Sequence, residues 1–334
     1  PSVGCVIVKK DKIISIGQTG YGGRPHAEHN AISNCFEKLK DSKMYITLEP
    51  CNHYGKTPPC TKKIIKNKID TVYYSIDDID VKVKGKSYSI LKKFDINVKK
   101  GLLRKEALDL YRSYHFNRKK KLPYVIGKIA VSKNEIIYSD TSKKITNKTS
   151  DKLTHYLRLK SDGILITSKT LNIDNPKLDC RLHGYIKFSP KRIILDKNLK
   201  IDLKSYIVKS IKNKNTIIFH ASNNKTKKNF LIKKGAFLIN QPIHRYKNFD
   251  LKKILKKLYL LGINNLLVEG GDKLTKSFLQ KKMFNEFYMF KGSKNLLKDN
   301  KYIKFTSFAI LDTKYNGHKT NFKLATDNIT IYKN

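Results

Sequence analysis

Short β-branched segments alternate with segments of helical periodicity along almost the whole chain, and this alternation strongly limits the possible folds. The first third contains the polar stretch KKDK between two apolar runs, which predicts a hairpin. An amphipathic helix is predicted from about His26 to Lys40, and a short helix from Cys60 to Asn67. The predicted strands of this part are 3–8, 13–17, 44–48 and 71–76. Strands separated by helices predict an α/β layered sheet.

The remainder of the chain repeats this pattern after a break. Residues 101–121 form a helix-like apolar set that ends in RKKK, and Leu122-Pro123 interrupts it because proline disfavours a preceding helix. Helices are predicted at 150–161, with Ser150 as the N-cap, and at 250–261. The predicted strands are 123–132, 163–171, 192–196, 216–220 and 264–271, with closing strands at 287–290 and 329–332. The sequence therefore predicts two α/β domains, 1–119 and 122–334.

Composition and charge narrow the classes of function. The net charge is +43, but the basic residues are 62 lysines and 8 arginines, and the lysines are spread over the whole length. Arginine is favoured in bidentate recognition of phosphates and bases, so a general lysine bias explains the charge better than a nucleic-acid groove. The sequence contains no run of eighteen apolar residues, so no membrane span is predicted. Five cysteines and no recognisable signal peptide lead us to expect a cytoplasmic protein without disulfides.

The chemistry of the first domain is concentrated in the stretches HAE and PCNHYGKTPPC. His26, Cys51 and Cys60 form the nitrogen and sulfur donor set that zinc prefers. Three protein ligands leave one tetrahedral position for water, whose pKa zinc lowers to about 7. Glu28 is not needed as a ligand and is predicted to move protons beside that water. The pattern resembles the zinc-dependent nucleobase deaminases.

Other cysteines and histidines have structural explanations. Cys5 in a strand and Cys35 on the apolar face of the predicted helix are expected in the core, and Cys180 is expected to be inert. His29 is expected on the helix surface or behind the ligands. His53 lies between the two ligand cysteines, and a substrate contact and a structural role are equally consistent with that position.

The clearest cofactor signal in the second domain is the strand–helix junction in LLVEGGDKLTKSFL. Gly270 and Gly271 allow close backbone approach, and the helix that begins near Asp272 attracts phosphate at its N-terminus. Two glycines at such a junction are often only a turn, and the sequence differs from the G-x-G-x-x-G fingerprint of dinucleotide-binding domains. Lys128 interrupts an apolar strand, which is consistent with an edge strand or with a side chain in a cleft.

Several separated motifs, in order, resemble one family. The P-C-x8-C spacing ending in G-x-T-P-P-C, together with PSVGCVIV and RPHAE, is similar to the deaminase half of the bifunctional deaminase–reductases of riboflavin synthesis. KIAVS, ITN, SKTLNIDNPKLDCR, RIILD and VEGG are similar to the reductase half. The resemblance implies a cytidine-deaminase-like three-layer domain followed by a dihydrofolate-reductase-like domain, with Zn2+ and NADPH as cofactors. It also implies a pyrimidine ribotide substrate, no nucleic-acid or membrane partner, and a homo-oligomer.

The resemblance also assigns roles to residues. The expected proton-handling groups of the reduction are Lys128, Asp174 and Glu269. The expected NADPH contacts are Ala130, Thr170, Asp174, Gly271, Asp272, Lys273, Leu274, Thr275, Lys276 and Ser277. The expected substrate contacts are Ser142, Arg158, Leu178, Arg181 and Glu269, and the guanidinium fork of arginine suits a ribose phosphate. The implied reactions are hydrolysis of the ring amino group of a diaminopyrimidinone ribosylamine 5'-phosphate, and reduction of its ribosyl group to a ribityl chain.

The sequence departs from the family pattern at three places. The family's helix and Asn-Pro are not found before Pro1, so either the sequence is trimmed or the first domain lacks that helix and is compromised. The reductase turn S-L-D-G is replaced by SKNE at 132–135, and a usual tryptophan is replaced by Lys144. Two alternatives therefore stay open. One is a nucleic-acid base deaminase, such as a tRNA deaminase, with an accessory domain, and the other is a deaminase whose reductase half has decayed.

Overall fold

The computed structural model of the chain describes residues 1–55, 57–141, 144–212, 214–243, 248–298, 301–315 and 318–334. The chain divides into two compact units, Pro1–Lys120 and Lys121–Asn334, each with its own hydrophobic core. Within the described ranges, no helix is both long enough and apolar enough to cross a lipid bilayer. The α/β class expected from the alternating pattern is confirmed.

The first unit is built on one sheet of five strands. The strands are β1 (Gly4–Lys9), β2 (Lys12–Gln18), β3 (Lys43–Ile46), β4 (Thr71–Tyr74) and β5 (Asn97–Lys100). The helices are α1 (Ala27–Ser33), α2 (Cys60–Lys66), α3 (Lys86–Lys92), α4 (Arg104–Leu110) and α5 (Arg112–Lys120). The strand order is β2-β1-β3-β4-β5, in which β1 and β2 form the predicted antiparallel hairpin and β3, β4 and β5 are parallel.

The core of this unit joins the sheet to α1 and α2. It contains buried apolar side chains from strands and helices, among them Cys5, Ile7, Met44, Ala31 and Ile64. The prediction that Cys5 is a core residue is confirmed. This packing holds the start of each helix against the ends of the strands, which is where the predicted zinc ligands lie.

The first helix is much shorter than its apolar pattern predicted. It ends at Ser33 rather than near Lys40, and Asn34 is its C-terminal cap. Serine and asparagine have low intrinsic helix propensity, which favours an end at this point. Phe36 is consequently fully exposed, and Cys35, expected on a helix face, is half-buried beyond the helix.

The apolar segment 101–121 forms two helices rather than one. Tyr111 ends α4 and is buried, and α5 starts at the next residue. Its hydroxyl is 2.6 Å from the Thr47 hydroxyl and donates to the Ser2 carbonyl at 3.0 Å. These long-range contacts override the helical pattern of the segment.

Within its described residues, the second unit contains a sheet of nine strands and a smaller sheet of two. The strands are β6 (Tyr124–Val131), β7 (Ile136–Ser139), β8 (Gly163–Thr167), β9 (Lys191–Leu195), β10 (Thr216–His220), β11 (Phe237–Asn240), β12 (Asn265–Val268), β13 (Glu286–Lys291), β14 (Tyr302–Lys304), β15 (His318–Leu324) and β16 (Asp327–Lys333). The helices are α6 (Lys148–Leu159), α7 (Ser168–Asp174), α8 (Tyr206–Lys209), α9 (Lys225–Lys233), α10 (Leu251–Leu260), α11 (Asp272–Gln280) and α12 (Phe308–Lys314).

The large sheet has the order β11-β10-β9-β8-β12-β6-β13-β16-β15, and β14 pairs with β7. The strands from β11 to β13 are parallel, whereas β16 and β15 are antiparallel to their neighbours. The predicted closing strands are therefore present as β13 and β16. Because β6 lies inside the sheet between β12 and β13, Lys128 is not on an edge strand.

Two local predictions in this unit are wrong. Asn147 caps α6 in place of Ser150, because its side-chain oxygen accepts the backbone N–H of Ser150 at 2.9 Å. The strand expected to run into a polar turn over 163–171 ends at Thr167, and helix α7 follows in place of the turn. The Thr167 hydroxyl accepts the N–H of Thr170 at 3.2 Å, a helix cap that ends the strand.

Close packing between β2 and α1 predicts different effects for two strand glycines. A Cβ at Gly17 would lie 2.2 Å from the carbonyl oxygen of Ala27, whereas a Cβ at Gly4 would meet its nearest atom, in Thr47, at 3.7 Å. Gly17→Ala should therefore reduce the stability of the first unit by about 1–3 kcal/mol, and Gly4→Ala should be nearly neutral. Hydrogen exchange of the β1–β3 amides measures both, and equal effects would contradict the packing argument.

Candidate active sites

The predicted zinc ligands lie together in the first unit. The Nδ1 atom of His26 is 3.2 Å from the Cys60 sulfur and 3.4 Å from the Cys51 sulfur. All three donor atoms lie within 4.8 Å of one another, and this is the one such donor cluster found in the part of the chain that the structure describes. One nitrogen and two sulfurs in this arrangement fit a zinc ion and leave one tetrahedral position open.

These donors come from separate segments that the helix starts bring together. His26 is the cap residue before α1, Glu28 lies in the first turn, and Cys60 is the first residue of α2. Cys51 lies in the loop after β3, where its carbonyl accepts the N–H of Thr61 at 3.1 Å. Its sulfur accepts the N–H of Cys60 at 3.3 Å. The start of α2 therefore holds the loop cysteine beside the helix cysteine.

Burial and sulfur contacts shift the pKa values of this cluster. Burial raises the pKa of Glu28 to about 7. The hydrogen bond from the Cys60 thiol lowers the pKa of Cys51 to about 4, and the same contact raises the pKa of Cys60. Contact with Cys51 raises the pKa of His26 against the effect of burial. A carboxyl group with a pKa near 7 can gain and lose a proton at neutral pH, which is the property required for proton transfer.

A buried carboxylate that sequence reasoning missed organises the loop of the first ligand cysteine. Glu49 is 4% exposed and accepts the backbone N–H groups of Asp78, Gly85 and Ser87 at 2.9–3.1 Å. The Ser87 hydroxyl in turn donates to the Pro50 carbonyl at 2.5 Å. The acidic residue before Pro-Cys was visible in the sequence, but its partners lie 29 to 38 residues away.

Two histidines and an arginine lie near the ligand cluster in sequence, and among them Arg24 contacts His26. His29 is half-buried and contacts the Lys63 ammonium, so its position on the helix surface or behind the ligands stays a prediction. Among the described residues, the buried Nδ1 of His53 has no hydrogen-bond partner. Arg24 donates to the Thr57 hydroxyl at 2.6 Å and lies 3.5 Å from the His26 ring, a contact that the sequence did not indicate.

The second unit contains a cavity of about 520 Å³ beside the ends of β8 and β12. The predicted cofactor residues that line it are Ala130, Thr170, Asp174, Gly271, Asp272, Lys273 and Leu274. The predicted proton-handling residues Lys128 and Glu269 line the same space. The carboxyl ends of parallel strands are the usual place for a ligand in an α/β sheet. The structure thus brings most of the predicted cofactor and proton-handling residues together.

Three predicted cofactor contacts lie farther along α11. Thr275, Lys276 and Ser277 are not part of the cavity lining. The Thr275 hydroxyl donates to the Gly270 carbonyl at 3.4 Å, and the Ser277 hydroxyl donates to the Lys273 carbonyl at 2.9 Å. Both hydroxyls thus bond to the backbone of the helix and of the glycine turn that precedes it.

Asp272 lines the cavity, but its carboxylate is occupied by a neighbouring segment. It accepts the Thr306 backbone N–H at 2.9 Å and the Thr306 hydroxyl at 2.8 Å. Thr306 follows β14, and Tyr302 and Lys304 of that strand also line the cavity. Asp272 therefore ties one wall of the cavity to the start of α11.

A buried ion pair lies beside the cavity. The Nε and Nη2 atoms of Arg158 donate to the two carboxylate oxygens of Glu269, each at 2.8 Å, and these side chains are 11% and 14% exposed. Burial favours a higher pKa for Glu269, but Arg158 and Lys128 together hold that pKa below its ordinary value. Burial lowers the pKa of Lys128, whose ammonium also lies 5.0 Å from the centre of the Phe290 ring. The cavity therefore contains paired charges in a desolvated setting.

The other predicted substrate contacts lie on the loop after α7. Leu178 has a positive φ of 58° and a buried side chain. Arg181 is exposed and donates to the Asp179 carboxylate at 2.9 Å, while the Asp179 carbonyl accepts from Arg158 at 3.2 Å. Arg158 and Arg181 thus both contact Asp179. The predicted contact Ser142 lies outside the described residues.

The two departures from the family pattern within the second unit are accommodated by local contacts. In the SKNE turn, the Asn134 amide donates to the Leu296 carbonyl at 2.9 Å and accepts the Leu296 N–H at 3.0 Å. Glu135 occupies the left-handed region with a φ of 68°, where glycine is usual. Lys144 forms an exposed pair with Asp151 at 3.3 Å. The turn is therefore well connected despite its altered sequence.

Comparisons with protein families define the class of this chain. Residues 1–76 match the family described as the cytidine and deoxycytidylate deaminase zinc-binding region. Residues 123–296 match the family described as the RibD C-terminal domain. Together with the donor cluster and the cavity, these matches define a zinc-dependent deaminase joined to a reductase.

Similar proteins identify the family. The chain is 35% identical over 292 residues to riboflavin biosynthesis protein RibD of Aquifex aeolicus, which covers 87% of this chain and 80% of that protein. The RibD protein of Bacillus amyloliquefaciens is 34% identical, with coverage of 87% and 78%. The Thermotoga maritima structure described as a diaminohydroxyphosphoribosylaminopyrimidine deaminase/5-amino-6-(5-phosphoribosylamino)uracil reductase matches with a TM-score of 0.83 and 28% identity, covering 99% of this chain and 91% of that one.

The chain therefore belongs to the RibD family. It is a bifunctional enzyme of riboflavin biosynthesis that combines a zinc-dependent deaminase with an NADPH-dependent reductase. The expected cytidine-deaminase-like and dihydrofolate-reductase-like domains are confirmed.

The buried ion pair predicts a pH-dependent contribution to stability. Glu269→Gln leaves the Arg158 charge buried without its partner and should lower the free energy of unfolding at pH 7 by about 3–5 kcal/mol. Because the folded-state pKa of Glu269 is below its ordinary value, the pair stabilises the fold above the ordinary carboxyl pKa. This stabilisation is lost as the pH falls through the folded-state pKa, so the variant and the wild type should converge in acid.

Denaturation monitored by hydrogen exchange of the β12 amides at several pH values measures this difference. Asp151→Asn is the matched control, because it alters an exposed pair in the same unit and should change stability by only about 0–1 kcal/mol. A difference between Glu269→Gln and the wild type that stays constant from neutral to acid pH would contradict the assignment.

Proposed function

We propose that His26, Cys51 and Cys60 hold the zinc ion of the deaminase half and that Glu28 transfers protons during deamination. The observation that carries this proposal is the convergence of one imidazole nitrogen and two sulfurs within 4.8 Å, with a buried carboxylate in the adjoining helical turn. Zinc, when bound, supplies a Lewis acid and lowers the pKa of water. Glu28 takes a proton from water as its oxygen adds to the amino-bearing ring carbon. It delivers a proton to the amino group, which leaves as ammonia.

The identity of the substrate is proposed from the similar proteins. The Thermotoga maritima relative is described as acting on a phosphoribosylaminopyrimidine and on a phosphoribosylamino-uracil. By this likeness, the first reaction hydrolyses the ring amino group of a diaminopyrimidinone ribosylamine 5'-phosphate. The second reaction reduces the ribosyl group of the deaminated product to a ribityl chain.

The reductase reaction is assigned to the cavity of the second unit. NADPH supplies the hydride. Lys128, Asp174 and Glu269 line the cavity and are the proposed proton-handling groups. Ala130, Thr170 and the residues 271–274 are the proposed cofactor contacts, since backbone N–H groups at the start of α11 suit phosphate. Thr275, Lys276 and Ser277 contribute to this site through the helix that they continue.

Arg181 is the proposed anchor of the ribose phosphate. The fork of Arg158 is already engaged in two hydrogen bonds with Glu269, whereas Arg181 is exposed and makes one ion pair, with Asp179. A guanidinium carries five N–H donors, so the pair with Asp179 is compatible with phosphate binding. Arg158 orients Glu269 and shares Asp179 with Arg181. Leu178 and Ser142 stay predicted substrate contacts.

The two alternative functions are less well supported. A nucleic-acid base deaminase with an accessory domain disagrees with the match of the second unit to a reductase family. A decayed reductase disagrees with the lined cavity and with the buried pair of Arg158 and Glu269. The homo-oligomer and the cytoplasmic location stay predictions.

The role of Glu28 predicts a variant that separates metal binding from turnover. Glu28→Gln should retain zinc, because the donor set is intact, and should lose deamination by at least about 100-fold because proton transfer is lost. Zinc content is measured by elemental analysis and the products by mass spectrometry. The wild type should yield the deaminated product without NADPH and the deaminated and reduced product with it. His26→Ala is the control that should lose zinc, and turnover by Glu28→Gln at the wild-type rate would reject the role.

The role of Arg181 predicts a selective defect in reduction. Arg181→Ala removes a charge-assisted contact to phosphate and should raise the reductase KM for the deaminated substrate about 10-fold to 100-fold, with deamination unchanged. Lys187→Ala, which removes an exposed cation from the same loop, should leave KM unchanged. Loss of both activities in Arg181→Ala would contradict the two-site assignment.

A further inference from the structure

His155 lies on α6 and contacts the loop that carries Arg181. It is half-buried and precedes Arg158 by one helical turn, so both side chains leave the same side of α6. Its Nδ1 atom accepts the backbone N–H of Arg181 at 3.2 Å. Its carbonyl oxygen accepts the Cys180 thiol at 3.5 Å. His155 thus contacts two consecutive positions of the loop.

Other hydrogen bonds hold the loop at neighbouring positions. The Asp179 carbonyl accepts from Arg158 at 3.2 Å, and the Cys180 N–H donates to the Ser189 hydroxyl at 3.0 Å. The guanidinium of Arg181 reaches the Asp179 carboxylate within the loop itself. The imidazole is therefore the group that holds the main chain of Arg181 against α6. The position of that main chain sets the region that the guanidinium can reach.

The charges around the imidazole preserve its ability to accept a hydrogen bond. Burial lowers the pKa of His155, and the positive charges of Arg158 and Arg181 lower it further, while Asp179 opposes them more weakly. Two further titratable groups face it: the Cys180 thiol, bonded to the His155 carbonyl, and the Glu269 carboxylate, whose pKa His155 helps to lower. A protonated imidazole carries a hydrogen on both nitrogens, so only the neutral ring accepts the Arg181 N–H.

We propose that His155 is a positioning residue of the reductase, whose Nδ1 atom holds the Arg181 main chain so that the guanidinium meets the ribose phosphate. This inference rests on the proposed role of Arg181. His155 itself does not contact the reacting atoms and acts through the arginine. Its loss therefore weakens substrate binding and leaves NADPH binding and the deaminase unaffected.

Three substitutions of His155 distinguish the loss of its hydrogen-bond acceptor from the loss of its aromatic ring. His155→Phe keeps the ring but removes the acceptor and should raise the reductase KM for the deaminated substrate about fivefold to tenfold, with the KM for NADPH and the deaminase rate unchanged. His155→Asn places an oxygen where Nδ1 lies and should restore KM. His155→Gln carries its oxygen one bond farther from the backbone and should not.

The pH profile gives an independent readout. As the pH falls below the lowered pKa of His155, the wild type should lose the acceptor and its KM should rise. His155→Asn has no titrating group at this position, so its KM should rise less over the same range. Phosphate titration affects both enzymes equally, so the ratio of their KM values isolates the imidazole.

A double-mutant cycle tests whether His155 acts through Arg181. In the Arg181→Ala background, His155→Phe should cause no further rise in KM, because the guanidinium that it positions is absent. Additive effects of the two substitutions would overturn the inference. An unchanged KM in His155→Phe would also overturn it, as would an equal loss of reductase and deaminase activity.

The same variants distinguish a failure of this inference from a failure of the proposed function. If Arg181→Ala raises KM and His155→Phe does not, the role of Arg181 stands and the positioning role of His155 is rejected. If neither Arg181→Ala nor His155→Phe changes KM, the phosphate contact is rejected, and the positioning role of His155 is rejected with it.

Discussion

Parallel pairing of neighbouring strands is the constraint on which both sites depend. In the first unit, β3 runs parallel to β4, and the chain leaves the end of β3 toward Cys51. In the second unit, β8, β12 and β6 are parallel neighbours, so Thr170 after β8 and Glu269 after β12 emerge at one edge of the sheet. Residues about a hundred positions apart, such as Thr170 and Glu269, thereby line one cavity. This edge is where α/β sheets generally bind ligands.

Three glutamates with little solvent exposure show how their surroundings determine their chemistry. Glu49 accepts three backbone N–H groups and serves to hold the loop before the first ligand cysteine. Glu269 is paired with Arg158, which together with Lys128 outweighs the effect of burial on its pKa. For Glu28, burial is the largest effect, and its pKa rises to about 7. The same side chain is therefore a structural acceptor, a paired charge and the proposed proton carrier, according to the charges and donors around it.

Sequence reasoning was most successful where a local signal decided the outcome. The hairpin of β1 and β2 and the helix that starts at Cys60 follow from short motifs and periodicity, and family motifs also anticipated the convergence of the predicted zinc donors. It failed where side chains or distant contacts decided. The apolar pattern continued past Ser33, yet α1 ends there, and Tyr111 breaks a helical pattern because its hydroxyl bonds to Thr47 and Ser2. The N-cap of α6 is Asn147, three residues before the predicted Ser150. The choice between them depended on which backbone N–H groups in the first turn of α6 needed an acceptor.

The sequence by itself determined the α/β class, the order of a deaminase half before a reductase half, and the donor types of the metal site. These features depend on residue type, spacing and periodicity, which are local properties of the chain. Only the tertiary structure decided that Lys128, on an inner strand, lines a cavity and that the Glu269 carboxylate forms an ion pair with Arg158. It also decided that the His155 ring accepts a hydrogen bond from the Arg181 main chain. Such contacts join residues 26 to 111 positions apart, so they exist only once the sheet and helices have packed.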